Sequence, residues 1–284
     1  MHGQNFQQNK FLLHKPGSKL FLTFTYMLLA LLTDIHEDLE SLKSALHKIE
    51  KLKVDQIACL GDMVGFSVPY HKFQDTRNAS ECLNLIKSNC EYIVLGNHDM
   101  HAAKIIPKYS DIFDFPEKWY QLSINEKQEL CNDQIWLPEL DELDPFLNSN
   151  DIEYLRSLPE YHIIESKNGN LILSHYLYPN LSGLHKTFYF EPSDYKQHIE
   201  FVKSKNCRFS FVGHQHFEEP WLARERHGNL KNIKKNLLFP FTKRQKLGQS
   251  SEVQCIGVLP TVKNTIAGFC IFDTEQNEIK YYSL

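Results

Sequence analysis

The sequence predicts an α/β fold, with a core of parallel β-strands and helices packed against them. The first observation is a regular alternation of short apolar runs and amphipathic segments along residues 27–95. This β-α-β-α-β order favours a parallel sheet, because each helix carries the chain back across the sheet. The second observation is that histidine, aspartate and asparagine recur directly after the apolar runs, where such a sheet gathers its loops.

The elements of the first half follow from their own patterns. Residues 37–53 place five apolar side chains at three- and four-residue steps, which predicts an amphipathic helix. Residues 78–89 have the same periodicity and predict a second helix. Three short apolar runs, at residues 27–32, 54–60 and 92–95, are typical of buried strands.

Residues 1–26 are interpreted as an N-terminal extension, in which residues 20–26 could form an extra strand. The apolar run from Leu20 to Leu32 is shorter than the roughly 20 apolar residues that span a bilayer. It also continues without a cleavage site into Asp34 and His36, so a signal peptide is not favoured. We therefore predict one domain over residues 27–284, no membrane association and a cytoplasmic location.

After residue 99 the pattern loosens, and the alternation resumes near residue 152. Residues 100–150 are rich in aromatic and acidic side chains, and we predict a helical, cap-like insertion over one edge of the domain. The later predicted elements are helices at 152–158 and 195–205, and strands at 171–174, 209–212, 253–259, 266–273 and 279–282, of which the last two form a hairpin.

Composition limits the function classes. The chain of 284 residues has 31 Lys and Arg against 35 Asp and Glu, a net charge of −4, so a nucleic-acid-binding domain is not favoured. Its 7 cysteines are scattered and form no Cys-x-x-Cys pair, which indicates a reducing compartment rather than a disulfide framework. The notable feature is the presence of 14 histidines.

Five short segments place metal-ligand side chains directly after an apolar run. They are Asp34-Ile35-His36, Gly61-Asp62, Gly96-Asn97-His98-Asp99, His175 and Gly213-His214-Gln215-His216. Each segment alone is a weak signal. Because ligands of open α/β sheets bind beyond the carboxyl ends of the strands, five such segments together predict one shared metal site.

The ligand types indicate two metal ions. Three carboxylate or amide oxygens and four imidazoles, without thiolate, exceed what one ion needs, so a bridging carboxylate between two ions is expected. Paired ions clamp the attacking and leaving oxygens in phosphoester hydrolysis. Oxygen and nitrogen ligands suit Mn, Fe, Zn or Ni, and the sequence does not choose among them.

The order of these motifs resembles the calcineurin-like metallophosphoesterase superfamily, and in particular its smaller bacterial branch. The resemblance rests on the five segments and on the stretches TDIHEDLESL (33–42) and LGDMVGFSVP (60–69). It covers residue 27 to the C-terminus. It implies a sandwich of two mixed β-sheets flanked by α-helices, with a helical insertion.

The resemblance also implies roles for individual residues. One metal would be held by Asp34, His36, Asp62 and His216, and the second by the bridging Asp62 with Asn97, His175 and His214. His98 would not be a ligand but would assist the leaving group, and Asn97 would touch both metal and phosphate. A hydroxide between the metals would be the nucleophile.

Two departures from the superfamily matter. Where its protein Ser/Thr phosphatases have Val-Asp-Arg-Gly, this chain has Met63-Val64-Gly65-Phe66. It therefore lacks both their phosphate-gripping arginine and the aspartate that orients the catalytic histidine, and Asp99 is the candidate replacement for that aspartate. The second departure is Glu37-Asp38 after the first histidine, which predicts a more acidic rim.

The predicted function is hydrolysis of a small anionic phosphoester, with monoester and diester both open and the oligomeric state unpredicted. The alternatives are a non-catalytic protein-binding scaffold on the same fold, like the retromer subunit, and a protein Ser/Thr phosphatase. A nuclease is disfavoured by the net charge. Retention of every ligand position and of His98 favours the enzyme over the scaffold.

Three further features have two interpretations each. The basic stretch 224–246 forms either a solvated face or a positive rim for an anionic substrate. Trp119 and Trp136 are predicted to pack within the insertion, with stacking on a nucleobase or aryl leaving group as the alternative. Tyr176 and Tyr178, just past His175, are predicted to contact substrate.

Overall fold

The computed structural model describes residues 26–188, 192–216, 221–224, 244–247, 252–263 and 267–284. The predicted extension therefore lies outside the described residues up to residue 25, as does most of the basic stretch, residues 225–243. No helix in the described part of the chain is both long enough and apolar enough to span a bilayer.

Six α-helices and thirteen β-strands are found among these residues. The helices are α1 (Leu39–Leu52), α2 (Ala79–Asn89), α3 (Asn97–Ala103), α4 (Ile124–Cys131), α5 (Ser149–Ser157) and α6 (Lys196–Ser204). The strands of the first half are β1 (Leu28–Leu32), β2 (Gln56–Cys59), β3 (Phe66–Ser67), β4 (Tyr92–Ile93) and β5 (Glu142–Leu143). The remaining strands are β6 (Tyr161–Ile164), β7 (Asn170–Ser174), β8 (Cys207–Val212), β9 (Leu222–Arg224), β10 (Arg244–Lys246), β11 (Gln254–Gly257), β12 (Gly268–Asp273) and β13 (Glu278–Ser283).

The strands form two large sheets of mixed direction. The first has the order β10-β13-β12-β1-β2-β4, in which β1, β2 and β4 are parallel and β12 runs antiparallel to β1. The second has the order β6-β7-β8-β11-β9, with three parallel strands between two antiparallel edge strands. The predicted sandwich of two mixed sheets flanked by helices is confirmed, as is the hairpin of β12 and β13.

Side-chain alternation along β1 explains the layers. Leu29 and Leu31 point between the sheets and pack in one cluster with Phe209 of the second sheet. Ala30 and Leu32 point the other way and pack against α1 and α2. Every second residue of a strand faces the same side, so a strand covered on both faces is apolar throughout. Burying each leucine contributes about 1.5–3 kcal/mol.

Helix α1 begins two residues later than its periodicity predicts. Asp38 caps it, because its carboxylate accepts a hydrogen bond from the backbone N–H of Ser41 at 3.0 Å. Glu37 precedes the cap with a φ of 66°, which a helix does not allow. Asn78 caps α2 in the same way, accepting from the N–H of Glu81 at 3.0 Å.

The insertion contains helix α4 and, in addition, the short strand β5. β5 pairs antiparallel with β3, with Glu142 opposite Ser67 and Leu143 opposite Phe66. A strand of two residues has no recognisable alternation, and neither β3 nor β5 is predicted from the sequence. Their pairing joins the insertion to the loop that follows Asp62.

Candidate active site

The five predicted segments converge at one end of the sandwich, where they follow β1, β2, β4, β7 and β8. The structure brings all seven predicted ligand side chains together; five of them are buried, and His214 and His216 are partly exposed. The exposed fractions are 0% for Asp34, 2% for His36, 1% for Asp62, 3% for Asn97 and 0% for His175, and the side chain of His216 is 28% exposed. Buried polar groups in such number require partners, which points to a bound cation.

Asp34, His36 and His216 form the first cluster. Nε2 of His216 lies 3.3 Å from Oδ1 of Asp34 and 3.0 Å from Nε2 of His36. All three offer a ligand atom within 4.8 Å of the others, so the group could hold a metal ion.

Asp62, His175 and His214 form the second cluster, with ligand atoms again within 4.8 Å of one another. Nε2 of His175 lies 3.1 Å from Oδ2 of Asp62 and 3.2 Å from Nδ1 of His214. The same Oδ2 of Asp62 lies 3.9 Å from Nε2 of His36, so Asp62 lies between the two clusters. Oδ1 of Asn97 is buried and has no hydrogen-bond partner among the described residues.

The tautomers of two histidines fit a cation. Nδ1 of His36 lies 2.9 Å from the carbonyl oxygen of Gly65, and Nδ1 of His175 lies 2.7 Å from that of Leu60. With a metal ion bound, each Nδ1 would carry the proton of a neutral ring, and the Nε2 lone pair would be directed at the metal and the carboxylates. A lone pair and a carboxylate repel each other unless a cation lies between them, so the donor set fits divalent metal ions.

Both carboxylates are held in the charged form. Burial alone would raise the pKa of Asp34, but the charge and hydrogen bond of His216 outweigh it and lower that pKa. Burial would likewise raise the pKa of Asp62, but the charge and hydrogen bond of His175 outweigh it, and the pKa is lowered. Two buried anions surrounded by imidazoles suit metal ions of the transition series.

The backbone at this end of the sheets is strained. Five of the seven predicted ligands have φ in the left-handed region: Asp34 at 51°, His36 at 48°, Asp62 at 51°, His214 at 71° and His216 at 48°. Each such residue costs on the order of 1 kcal/mol, and strain of this kind persists mainly at functional sites. Here the backbone N–H groups of Ile35 and His36, which both donate to the carbonyl of Asp62, hold one loop against the next at 2.7 and 3.0 Å.

His98 lies beside the second cluster and faces the adjacent cavity. Its Nε2 is 3.9 Å from Oδ2 of Asp62, and its Nδ1 is 2.8 Å from Oε2 of Glu142. The two side chains of this pair are only 12% and 5% exposed. Burial lowers the pKa of His98, but the charges of Glu142 and Asp62 outweigh it and raise the pKa to about 9.

The prediction that Asp99 orients His98 is wrong. The carboxylate of Asp99 instead accepts hydrogen bonds from three backbone N–H groups, those of Met63 at 2.9 Å, Val64 at 3.2 Å and Gly96 at 3.0 Å. It therefore ties the loop after β2 to the start of α3. Burial and the charge of Asp62 raise the pKa of Asp99 to about 7.

Glu142 is the residue that sequence reasoning missed. It comes from the insertion through β5, far along the chain from His98. A Cβ at Gly65 would lie 2.3 Å from Nδ1 of His98, so only glycine lets the loop after β2 pack this closely against the ring. The sequence contains only an indirect signal for Glu142. The aspartate that orients the catalytic histidine in the related phosphatases is absent near Gly65, so another carboxylate had to replace it, and the insertion is rich in acidic residues.

The predicted acidic rim at Glu37-Asp38 is also wrong. Glu37 is 1% exposed and pairs with Arg77, with 3.0 Å between Oε2 and Nη1. Its other oxygen accepts a hydrogen bond from the N–H of Gly65 at 3.0 Å. Asp38 is 4% exposed and caps α1. These acids therefore support the loop that carries His36 and do not face the substrate side.

A cavity of about 420 Å³ opens beside the two clusters. We call the predicted ligands that line it the inner wall, namely His36, Asp62, Asn97, His214 and His216. The outer wall includes Tyr70, Trp136, His185, Lys186 and Phe188, of which Trp136 was expected to pack in the insertion. Trp119 does pack there and is 4% exposed.

Tyr176 and Tyr178 are not substrate contacts: the first is fully buried with its ring 4.5 Å from that of His214, and the second stacks on Phe201 at 4.4 Å.

Comparison with known proteins gives a consistent result. The family profile of calcineurin-like phosphoesterases matches residues 27–218. A metallophosphoesterase from Sphaerobacter thermophilus has a similar fold, with a TM-score of 0.63 and 18% identity over 92% of this chain and 88% of that chain. The hypothetical protein PH1004 from Pyrococcus horikoshii gives a TM-score of 0.53 and 15% identity, covering 91% and 87% of the two chains.

One curated relative matches over a short segment. The uncharacterized protein MJ0912 of Methanocaldococcus jannaschii is 38% identical over 73 residues, which are 25% of this chain and 26% of that protein. The match thus spans about a quarter of that relative.

Proposed function

Because the chain belongs to the calcineurin-like phosphoesterase family, we propose that it is a metal-dependent hydrolase that cleaves a small phosphoester at this site. The single observation that carries the proposal is the arrangement around Asp62. Two clusters of ligands meet at its carboxylate. Nε2 of His98 lies 3.9 Å from Oδ2 of this carboxylate, at the edge of the cavity.

The donor atoms support two metal ions. Asp34, His36, Asp62 and His216 would hold one ion, and Asp62, Asn97, His175 and His214 the other. Divalent Mn, Fe, Zn or Ni would each suit these oxygen and nitrogen donors. Two such ions supply positive charge that stabilises the phosphoryl oxygens and activates water for attack.

His98 is proposed to give a proton to the departing oxygen. Its Nδ1–H donates to Glu142 at 2.8 Å, which directs Nε2 toward the centre and fixes the ring. A group that donates a proton in the transition state must lie within hydrogen-bond reach of the leaving atom, and His98 lines the cavity that such an atom would occupy. Glu142 is then a positioning residue rather than a catalytic one.

The cavity supports a small substrate. Its volume of about 420 Å³ is in the range of small-molecule sites and leaves room for an organic group beside the phosphoryl group. A non-catalytic scaffold would need neither a buried carboxylate behind His98 nor a cavity in front of it. These two features favour hydrolysis over the scaffold.

The proposal is tested on the full chain after chelation and reconstitution with Mn²⁺. We expect two ions per chain by elemental analysis, and hydrolysis of an aryl phosphodiester, an aryl phosphomonoester or both. Cyclic nucleotides and nucleotide pyrophosphates complete the substrate panel. A protein that binds no divalent ion and hydrolyses no member of the panel would contradict the proposal.

A further inference from the structure

The outer wall of the cavity carries features that phosphoester cleavage alone does not require. We propose that this wall binds the organic part of the substrate, and that this part is a flat aromatic ring with an N–H donor at its edge, as in a nucleotide. The inference rests on the proposed function, because it assumes that the phosphoryl group lies at the Asp/His centre.

Aromatic side chains surround the position next to His98. The ring of Trp136 lies 4.2 Å from that of His98, so a group leaving toward His98 would lie against Trp136. Across the cavity Phe188 stacks on the ring of His214 at 5.3 Å and remains 45% exposed. Tyr70 at the rim is 69% exposed. Exposed aromatic rings gathered around one cavity mark a binding surface, and flat rings stack on them.

The backbone holds this wall in place. Ile135 and His185 form an antiparallel bridge. The N–H of Trp136 donates to the carbonyl of Leu184, and the N–H of Lys186 to that of Gln134, both at 2.9 Å. Backbone hydrogen bonds between the insertion and the segment after His175 therefore hold Trp136 and His185 side by side. A wall ordered in advance loses less entropy when a ligand binds.

His185 offers a hydrogen-bond acceptor. Its Nε2 lies 2.9 Å from the hydroxyl of Ser110, which donates its own hydrogen to the carbonyl of Phe113 at 3.1 Å. Nε2 must therefore donate, and Nδ1 is left with a lone pair. That Nδ1 is buried and has no hydrogen-bond partner among the described residues, although the ring lines the cavity. An N–H group on a bound ring would satisfy it.

The charges of the wall favour an uncharged organic group. Lys186 is the one Lys or Arg among the described residues that line the cavity, and it pairs with Asp133. The described wall therefore has no separate cation for a second phosphoryl group.

The inference is tested by binding as well as by rate. Adenosine 5′-monophosphate and ribose 5-phosphate are compared as competitive inhibitors of aryl ester hydrolysis and by quenching of tryptophan fluorescence. We expect the nucleotide to bind about tenfold more tightly, and Trp136→Ala to remove this difference, because stacking on an aromatic side chain has about this strength. Trp136→Phe should keep most of it. Trp119→Phe, which alters a buried tryptophan of the same insertion, is the matched control and should change neither affinity.

A second variant tests the acceptor. The nucleotide of unsubstituted purine lacks the exocyclic amine of adenine, and we expect wild type to bind it about fivefold more weakly. His185→Phe should abolish this preference while Trp136 still stacks. Equal affinity of the wild type for the two purine nucleotides would overturn the assignment of His185.

The outcomes separate this inference from the proposed function. If esters are hydrolysed but the nucleotide and ribose 5-phosphate bind equally, the inference is overturned and the hydrolase remains. If the nucleotide quenches Trp136 but no phosphoester is cleaved by the metal-loaded protein, the binding wall is supported and the hydrolase fails.

Discussion

The two walls of the cavity are built in different ways. The inner wall comes from loops directly after buried strands, and its residues His36 and Asp62 are 2% and 1% exposed and joined by a backbone hydrogen bond. The outer wall comes from the insertion, from the loop after β3 that carries Tyr70 and from the segment after His175, and it keeps Phe188 and Tyr70 largely exposed. The inner wall has the rigidity that metal coordination requires, whereas the outer wall has accessible surface that can contact a ligand.

Under the two proposals, the chemistry belongs to the inner wall and the selection of substrate to the outer wall. Left-handed backbone occurs at four of the predicted ligands that line the inner wall, namely His36, Asp62, His214 and His216. The outer wall instead uses an ordinary antiparallel bridge and the short β3–β5 pair. Glu142 connects the two walls, since it belongs to the insertion but contacts His98. Substitutions on each wall should therefore produce different combinations of lost metal, lost rate and lost affinity.

The largest effect is expected at the centre of the inner wall. Asp62→Asn removes the carboxylate charge that both clusters share, so activity should fall to the limit of detection. Metal content, measured by elemental analysis, should fall with it. The matched control is Asp141→Asn, which changes an acidic residue on the outer wall and should leave metal content unchanged. Full retention of two ions by Asp62→Asn would break the assignment of the inner wall.

The next effect is expected at His98. His98→Ala should lower kcat for an alkyl phosphoester by about 10²–10⁴-fold, the usual range for a lost general acid. Metal content should stay at the wild-type level, because His98 is not among the proposed ligands. An aryl ester with a good leaving group needs less protonation and should lose less rate. A wild-type rate on the alkyl ester would refute the proton-donor role.

A smaller effect is expected at Glu142. Glu142→Gln should lower the rate on the alkyl ester by about 10–100-fold, the range found for partners that orient metal-ligating histidines, since Glu142 holds the His98 ring in the same way. The loss should be smaller on the activated aryl ester, and Glu142→Asp should restore part of the rate. A purely structural role would affect both esters alike.

The control for Glu142 is another acid of the insertion. Glu139 pairs with Lys127 rather than with His98, so Glu139→Gln should leave both rates unchanged. Equal losses in the two variants would mean that the insertion has only been loosened.

The inner wall was predictable because its signal is local. Strand-end motifs such as Asp34-Ile35-His36 carry their chemistry within a few residues of the strand that positions them. The outer wall has no such signal: Trp136 and Glu142 gain their roles only when β5 pairs with β3 and residue 135 bridges residue 185. Tyr176 illustrates the reverse error, since its nearness in sequence to His175 suggested a substrate contact while its side chain is fully buried.

Substitution of His198, which lies beneath the inner wall, should have the smallest effect on activity at neutral pH. It should instead change how the free energy of unfolding depends on pH. This ring is fully buried, its Nδ1 accepts from the N–H of Tyr178 and its Nε2 meets the hydroxyl of Ser210, both at 2.8 Å. Burial lowers its pKa to about 3, from an ordinary value of 6.5. Below pH 6.5 the unfolded chain therefore binds a proton that the folded chain does not. The free energy of unfolding should fall as pH drops from 6.5 toward 3 and should not change through this group above pH 6.5.

On the outer wall, burial lowers the pKa of His185 to about 4, so it contributes in the same direction over a narrower range. Thermal unfolding at pH 7.5 and pH 5, with equal metal loading, compares wild type with His198→Gln and His185→Gln. Both variants should melt lower at pH 7.5 yet lose less on acidification than wild type, with His198→Gln losing least. Because the metal dependence on pH is common to all three proteins, it cancels in their differences. If His185→Gln reduced the acid sensitivity more than His198→Gln, the outer wall rather than the inner one would dominate acid unfolding, and the contrast between the two walls would not extend to stability.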